Sequence, residues 1–195
     1  MLTSVLLRLG PATGTVATLS EVKTALRVSE DATEDDARLI EILRSQTRRY
    51  EDFTRRIMLP TPFEAQFACW SGLSLPAAPV RAVSEVAYLD ADHAEQVLAA
   101  ENWYLAQADD TDREVLLVED ITAPVLSSRP WPVRVRFTAG YNDPASTESG
   151  ETEELDPDVA DKIHILLLAQ RLYDADAQMP EEEMRRMMGH RRVLR

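Results

Sequence analysis

The chain has 195 residues, a formal net charge of -13 at pH 7 and a sequence pI near 4.7. That length suits one or two domains, because a single domain of about 150 residues already buries roughly 70% of the surface its unfolded chain exposes. The acidic balance argues against a general binder of nucleic acid or membrane surfaces, and the single cysteine, Cys69, excludes an intramolecular disulfide and a thiolate metal cage.

No apolar run approaches the ~20 residues that a membrane span needs, and residues 1–14 have an apolar patch without a basic leader or clear cleavage site. The expectation is a chain made and used in the cytoplasm, in a reducing compartment.

Residues 1–18, with Gly10, Pro11, Gly14 and several threonines, read as an extended arm that orders only against a neighbour. Ser20 is placed to cap a short helix over residues 21–27, whose Val22 and Leu26, with Val28, can pack on the next element. Residues 33–57 then spell a long amphipathic helix. Ile40, Leu43, Thr47, Tyr50, Thr54 and Ile57 form one stripe, widened by Leu39, Ile42 and Phe53, and Glu41, Arg44, Arg48, Glu51, Asp52 and Arg55 fall largely away from it. Thr33 can cap it, Glu34, Asp35 and Asp36 complement its positive start, Arg55 and Arg56 its negative end, and Pro60 stops it.

After Pro60 the apolar period changes to two. Phe63, Phe67 and Cys69 alternate with Glu64 and Gln66, and Val133, Val135 and Phe137 alternate with Arg134, Arg136 and Thr138, both half-buried strand patterns. With further strand candidates at 83–89, 103–107 and 114–118, residues 61–141 read as an inserted antiparallel β subdomain of about five short strands. Trp131, Gly140 and Tyr141 bracket its last strand, where they can fix the exit back to the helices.

Residues 142–156, rich in Ser, Thr and Glu, read as a solvated acidic loop. Asp156 and Pro157 open a second long helix within residues 157–178. Being apolar on nearly every side, it is expected to lie centrally and cover the stripe of residues 33–57, with Leu166 in the core. Pro180 starts a last short helix, Gly189 is a C-cap, and residues 179–195 end in a cationic tail. The fold class is α+β: an antiparallel helical bundle (residues 19–60 and 157–178) with the β subdomain inserted and both termini extended.

A search for chemistry yields little. His93, His164 and His190 lack partners at metal-ligand spacing, and His164 reads as a core or interface histidine. Cys69 reads as a packed thiol, no nucleophile elbow or phosphate loop occurs, and the carboxylates fall in helix first turns and the acidic loop, where capping and solvation explain them. No cofactor, metal site or catalytic residue is expected. The tail alternates Met184, Met187 and Met188 with arginines, an adaptable apolar and basic segment suited to an acidic groove.

In order and spacing the chain resembles the head-tail connector, or adaptor, proteins of long-tailed bacteriophages, a family also found in prophages and gene transfer agents. The resemblance runs from Leu19 onward. It rests on residues 19–28 (Leu-Ser-Glu-Val-Lys-Thr-Ala-Leu-Arg-Val) before an acidic turn, on Tyr50, Glu51, Arg55 and Arg56, on residues 75–80 leading to 83–90, on Trp103, Tyr104, Trp131 and Pro132, on residues 135–141, and on Pro157, Pro180, Arg191 and Arg192. The acidic loop is longer than is usual there.

The resemblance implies a structural virion protein without catalysis. About twelve copies would form a ring under the portal, join head to tail and extend the DNA channel. The implied partners are the portal protein, the next neck or tail protein (a stopper or terminator) and sister copies, with the genome passing unbound and no membrane involved. Portal docking falls to Met184, Arg185, Arg186, Met187, Met188, Arg191, Arg192, Val193, Leu194 and Arg195. The acidity fits a conduit that gives passing DNA no sites to stick to. The alternatives are another neck or tail component and, with less support, a small acidic enzyme or regulator.

Overall fold

Elements of both periodicities appear where the sequence changes period. A computed structural model describes residues 4–12, 14–107, 113–141, 158–175 and 178–189. The chain divides into two compact units, Met1–Ala12 with Pro60–Gly140, and Thr13–Leu59 with Tyr141–Arg195.

The first unit is built on β-strands. β1 (Ser4–Arg8), β2 (Thr61–Phe67), β4 (Val80–Leu89), β5 (Glu95–Val97) and β8 (Val133–Ala139) form a five-stranded sheet in the order β1-β2-β8-β4-β5. β3 (Leu73–Ser74), β6 (Trp103–Gln107) and β7 (Arg113–Leu117) form a second sheet in the order β3-β7-β6. Every pairing is antiparallel. More strands form than expected, and part of the expected free arm is one of them: Val5, Leu6 and Leu7 pair in register with Gln66, Ala65 and Glu64. Short apolar runs of this kind fit a half-buried pleat without needing a partner molecule.

In the five-stranded sheet the alternation of β8 sorts its two faces. Val133, Val135, Phe137 and Ala139 are buried with Phe63, Ala65 and Phe67, and Phe63 stacks on Phe137 at 5.8 Å. On the other face Arg136 binds Glu64 on β2 at 3.0 Å, Glu95 on β5 at 2.9 Å and Glu85 on β4, and Arg134 binds Glu95 at 2.6 Å. One arginine therefore clamps three neighbouring strands.

Burial pushes the Glu64 carboxyl up, but the hydrogen bonds from Gln66 and Arg136 and the charges of Arg136 and Arg134 outweigh it and leave the group below the usual carboxylate range. A depressed folded value means stability present above the unfolded value, near 4.5, and lost as pH falls through the folded value. Urea unfolding between pH 7 and pH 3 is expected to show this acid loss in the natural chain and a smaller loss in Glu64→Gln. Equal acid losses in the two proteins would count against the clamp.

Cys69, expected in a packed strand, lies just past the end of β2 and is exposed. A hydrogen bond with the Ser71 hydroxyl, and after it one with the Ser71 backbone, holds the thiol pKa below its usual value.

The second unit is helical: α1 (Leu19–Leu26), α2 (Asp36–Thr54), α3 (Val159–Ala175) and α4 (Glu181–Met188). α1 is capped by Thr18 and not by Ser20. The Thr18 hydroxyl accepts the Glu21 N–H at 3.3 Å and the Glu21 carboxylate accepts the Thr18 N–H at 2.8 Å, a complete capping box. α2 starts later than expected, with Asp35 at its N-cap making no side-chain cap bond, so the expected Thr33 cap does not form. α1 and α2 both end at a left-handed residue, Arg27 at φ 57° and Arg55 at φ 64°.

The α2 stripe is buried much as expected, through Leu39, Ile42, Leu43, Tyr50 and Phe53. Glu51 departs from its expected polar position: it is buried because its carboxylate accepts the Met58 N–H at 2.9 Å. Lys23, one of the chain's two lysines, is buried too, donating to the Glu30 carbonyl at 3.0 Å and pairing with Asp36 at 2.8 Å, which fixes the turn between α1 and α2.

Candidate assembly interface

α3 is the organising element of the helical unit, and its sequence sorts into distinct faces. Asp161, Ile165, Leu168 and Ala169 are buried, Leu166 is only half-buried, and Val159, Ile163 and Leu167 stand exposed. The expectation that this helix, apolar on nearly every side, lies centrally is therefore corrected for one side, which is exposed. α3 packs against α1 and α2, and an apolar row on the remaining side is left open.

The buried Asp161 is a feature that the sequence reading missed. It accepts a hydrogen bond from the Tyr50 hydroxyl at 2.5 Å, and its other oxygen lies 3.6 Å from the Arg56 guanidinium. Arg56 also donates to the Tyr141 hydroxyl, with its guanidinium 5.4 Å from the Tyr141 ring centre. His164, one helical turn on, stacks on Tyr50 at 6.3 Å, consistent with its expected core or interface place. This cluster holds the points where the chain leaves and rejoins the helices. The Tyr141 N–H bonds the Ile57 carbonyl at 3.3 Å, and Gly140, at φ 124°, makes the preceding turn. Trp131, Gly140 and Tyr141 were legible as a bracket around β8, but Asp161 was hidden because an acid in a helix's first turn reads as a response to the helix dipole.

On the surface, α1 is tied to α3 by Glu21 and Lys162 at 2.5 Å. The hydrogen bond from Lys162, then that from the Thr18 N–H, holds the Glu21 carboxyl below the usual range.

α4 carries the described part of the expected docking segment. Met184 and Met188 are buried with Met179, so they pack within their own unit. Met187 is half-buried, and Arg185 and Arg186 are exposed and paired one turn back with Glu181 at 3.0 Å and Glu182 at 3.3 Å. Exposed pairs of that spacing contribute only about 0.3–0.5 kcal/mol, so they hold the two guanidinium groups weakly. Arg171 on α3 joins Glu183 at 3.0 Å. Arg191, Arg192, Val193, Leu194 and Arg195 lie outside the described residues. Among the described residues no group of three His, Cys, Asp or Glu side chains could hold a metal ion, and no helix is long and apolar enough to cross a membrane.

With two compact units, one of antiparallel sheets and one of helices, the fold can be compared with known structures. No protein-family model matches the chain, and no curated protein matches it significantly. Among solved structures the chain is similar to one in the neck of an empty gene transfer agent particle determined with C6 symmetry, at 23% identity and a TM-score of 0.72. It is also similar to one in the virion of a native gene transfer agent particle, at 25% and 0.70, and to one in the neck of a native particle determined with C12 symmetry, at 26% and 0.66. Each likeness covers 98% of this chain and 96% of the other.

The α+β class read from the sequence is borne out, and so is the resemblance to connector proteins: the chain has a head-tail connector-like fold, similar to that of chains in gene transfer agent particles, two of them neck structures. This supports a structural protein of a particle neck.

Proposed function

We propose that the chain is a structural subunit of the neck of a phage-like particle. About twelve copies form a ring beneath the portal, join head to tail and prolong the DNA channel, without catalysis. The observation that carries this reading is a likeness spanning both units, over 98% of the chain, to chains in neck structures, one of them determined with C12 symmetry. The net charge of -13 is in keeping with it, since DNA leaving a capsid finds few cations to hold it. The next neck or tail protein binds on the far side of the ring, and assembly takes place in the bacterial cytoplasm.

Portal docking falls to the exposed side of α4, with Arg185, Arg186 and Met187, and to residues 190–195. Met184 and Met188 instead anchor α4 to its own unit. Ending the chain at Gly189 is therefore the informative truncation, because it keeps both buried methionines. It is expected to leave the melting temperature within a few degrees of the full chain's and to reduce capture by immobilised portal protein at least tenfold. Unchanged capture would remove the tail from the mechanism. Capture by a tail-side neck protein in place of the portal would make the chain a stopper or terminator. Removing residues 181–195 is a poorer test, since it uncovers the core that Met184 and Met188 fill.

A further inference from the structure

Exposed large apolar side chains of the described residues gather at two places, while others, such as Val125, stand singly. One place is α3, where Val159, Ile163 and Leu167 are 70%, 50% and 39% exposed. Their spacing of four puts them on one helix face, in a row about 12 Å long at the usual rise of about 1.5 Å per residue. The row's polar neighbours are already paired, Lys162 with Glu21 and Arg171 with Glu183. The other place is β1 and its continuation, where Leu7 and Leu9 are 42% and 53% exposed and, two residues apart, share one side of the strand. β1 is an edge strand without the proline, lysine or bulge that shields such edges. Its charge, Arg8, is turned onto its own sheet, over the Phe63 ring at 5.5 Å and bonded to Thr61 at 3.4 Å.

Two further observations join these places. Copies of a chain carrying -13 repel one another, yet no carboxylate precedes Glu21 in the sequence and none lies between Asp161 and Asp174. The strand patch and the Ile163 and Leu167 part of the helix row therefore lie in stretches whose approach adds no like negative charge of their own, and only Val159, between the exposed Asp158 and the buried Asp161, has carboxylates beside it in the chain. The patches also differ in kind, one a helix face and one a strand edge. A helix face meeting its own twin closes a two-fold pair and stops there, whereas two unlike patches on every copy let contacts run head to tail and close into a ring.

We propose that the occupant of the α3 row is a second copy of this chain, whose Leu7 and Leu9 lie across Val159, Ile163 and Leu167. The contact rests on the ring reading above and specifies how one subunit holds the next. Five side chains bury less than the roughly 800 Å² per partner of a standard stable interface, so each contact is weak alone and assembly depends on concentration or on a template.

The test is disulfide trapping of the full chain in a Cys69→Ser background, because the natural thiol is exposed. The double variant Leu7→Cys with Ile163→Cys, oxidised at high concentration alone and with portal protein, is expected to give a ladder of dimers, trimers and larger species on a non-reducing gel. An equal mixture of the two single variants is expected to stop at the dimer. Ile163→Cys by itself is expected to stay monomeric, and efficient dimerisation of it would mean that α3 meets α3 and would overturn the contact. If the unaltered chain assembles in sedimentation but neither the double variant nor the mixture links, the contact is wrong and the ring reading survives. If the unaltered chain stays monomeric under both conditions, both fail. Ile163→Glu, at an exposed position, is expected to keep its circular dichroism spectrum and to lower the assembled fraction at least tenfold; undiminished assembly would also overturn the contact.

Discussion

Leu168→Asp is expected to yield a helical unit that does not fold at neutral pH. Leu168 is fully buried on α3, which packs against α1 and α2. Loss of a buried leucine costs about 2–5 kcal/mol, and an unpaired buried carboxylate adds several kcal/mol, against a total stability of about 5–15 kcal/mol for a native protein. Far-UV circular dichroism should show lost helix signal and no cooperative transition belonging to this unit. Leu166→Asp, the position favoured by sequence periodicity, is expected to be much milder, because Leu166 is half-buried and a carboxylate there keeps part of its water. A melting temperature of Leu168→Asp close to that of the natural chain would show that α3 is not the core of its unit.

Asp161→Ala is expected to cost about 2–4 kcal/mol. Removing one member of a buried pair typically costs about 3–5 kcal/mol because the other is left uncompensated, and partial exposure of Arg56 trims that figure. Tyr50 also loses the acceptor of its hydroxyl in a fully buried setting. Tyr50→Phe removes one hydrogen bond and leaves Asp161 facing Arg56, so it is expected to cost less, about 1–2 kcal/mol. Urea midpoints at constant slope would measure both. Equal costs would mean that the tyrosine bond accounts for the whole effect and that Arg56 contributes nothing through Asp161.

Legibility in the sequence followed how strongly each residue's neighbours constrain it. α2 and β8 were readable because many residues repeat at one period and one face must be buried: the stripe of Leu39, Leu43 and Tyr50 and the alternation of Val133, Val135 and Phe137 are the observed cores of their units. Helix starts were less readable. Ser20, Thr18 and Thr33 are equivalent capping residues until the backbone decides, and Thr18 is chosen because Glu21 completes its box. Charged residues inside helices are where periodicity fails: Glu51, placed on the polar side, and Asp161, grouped with first-turn carboxylates, are buried, and so is Lys23, for which the sequence offers no signal. Their partners (Met58, Tyr50 with Arg56, and Glu30 with Asp36) are remote enough in the chain that periodicity cannot reveal them.

The openness of α3 was hidden for the opposite reason. A helix apolar on all sides looks the same whether its last side faces its own core or a sister molecule. For the docking segment, the Met and Arg composition was visible, but not that α4's turn places Met184 and Met188 inward and Arg185 and Arg186 outward.

The hydrogen bond from Tyr141 to Ile57 has an evolutionary consequence. Leu59, where the helices hand the chain over, and Tyr141, where they receive it back, flank a closed neck, so the excursion between them begins and ends at nearly the same spot. Lengthening a loop whose ends are already joined costs only about 0.6 kcal/mol per doubling. Insertions and deletions in the loops between Pro60 and Gly140 are therefore expected to leave the helices intact as long as β2 keeps its pairing with β1, and descendants of this chain can be expected to diversify in those loops first.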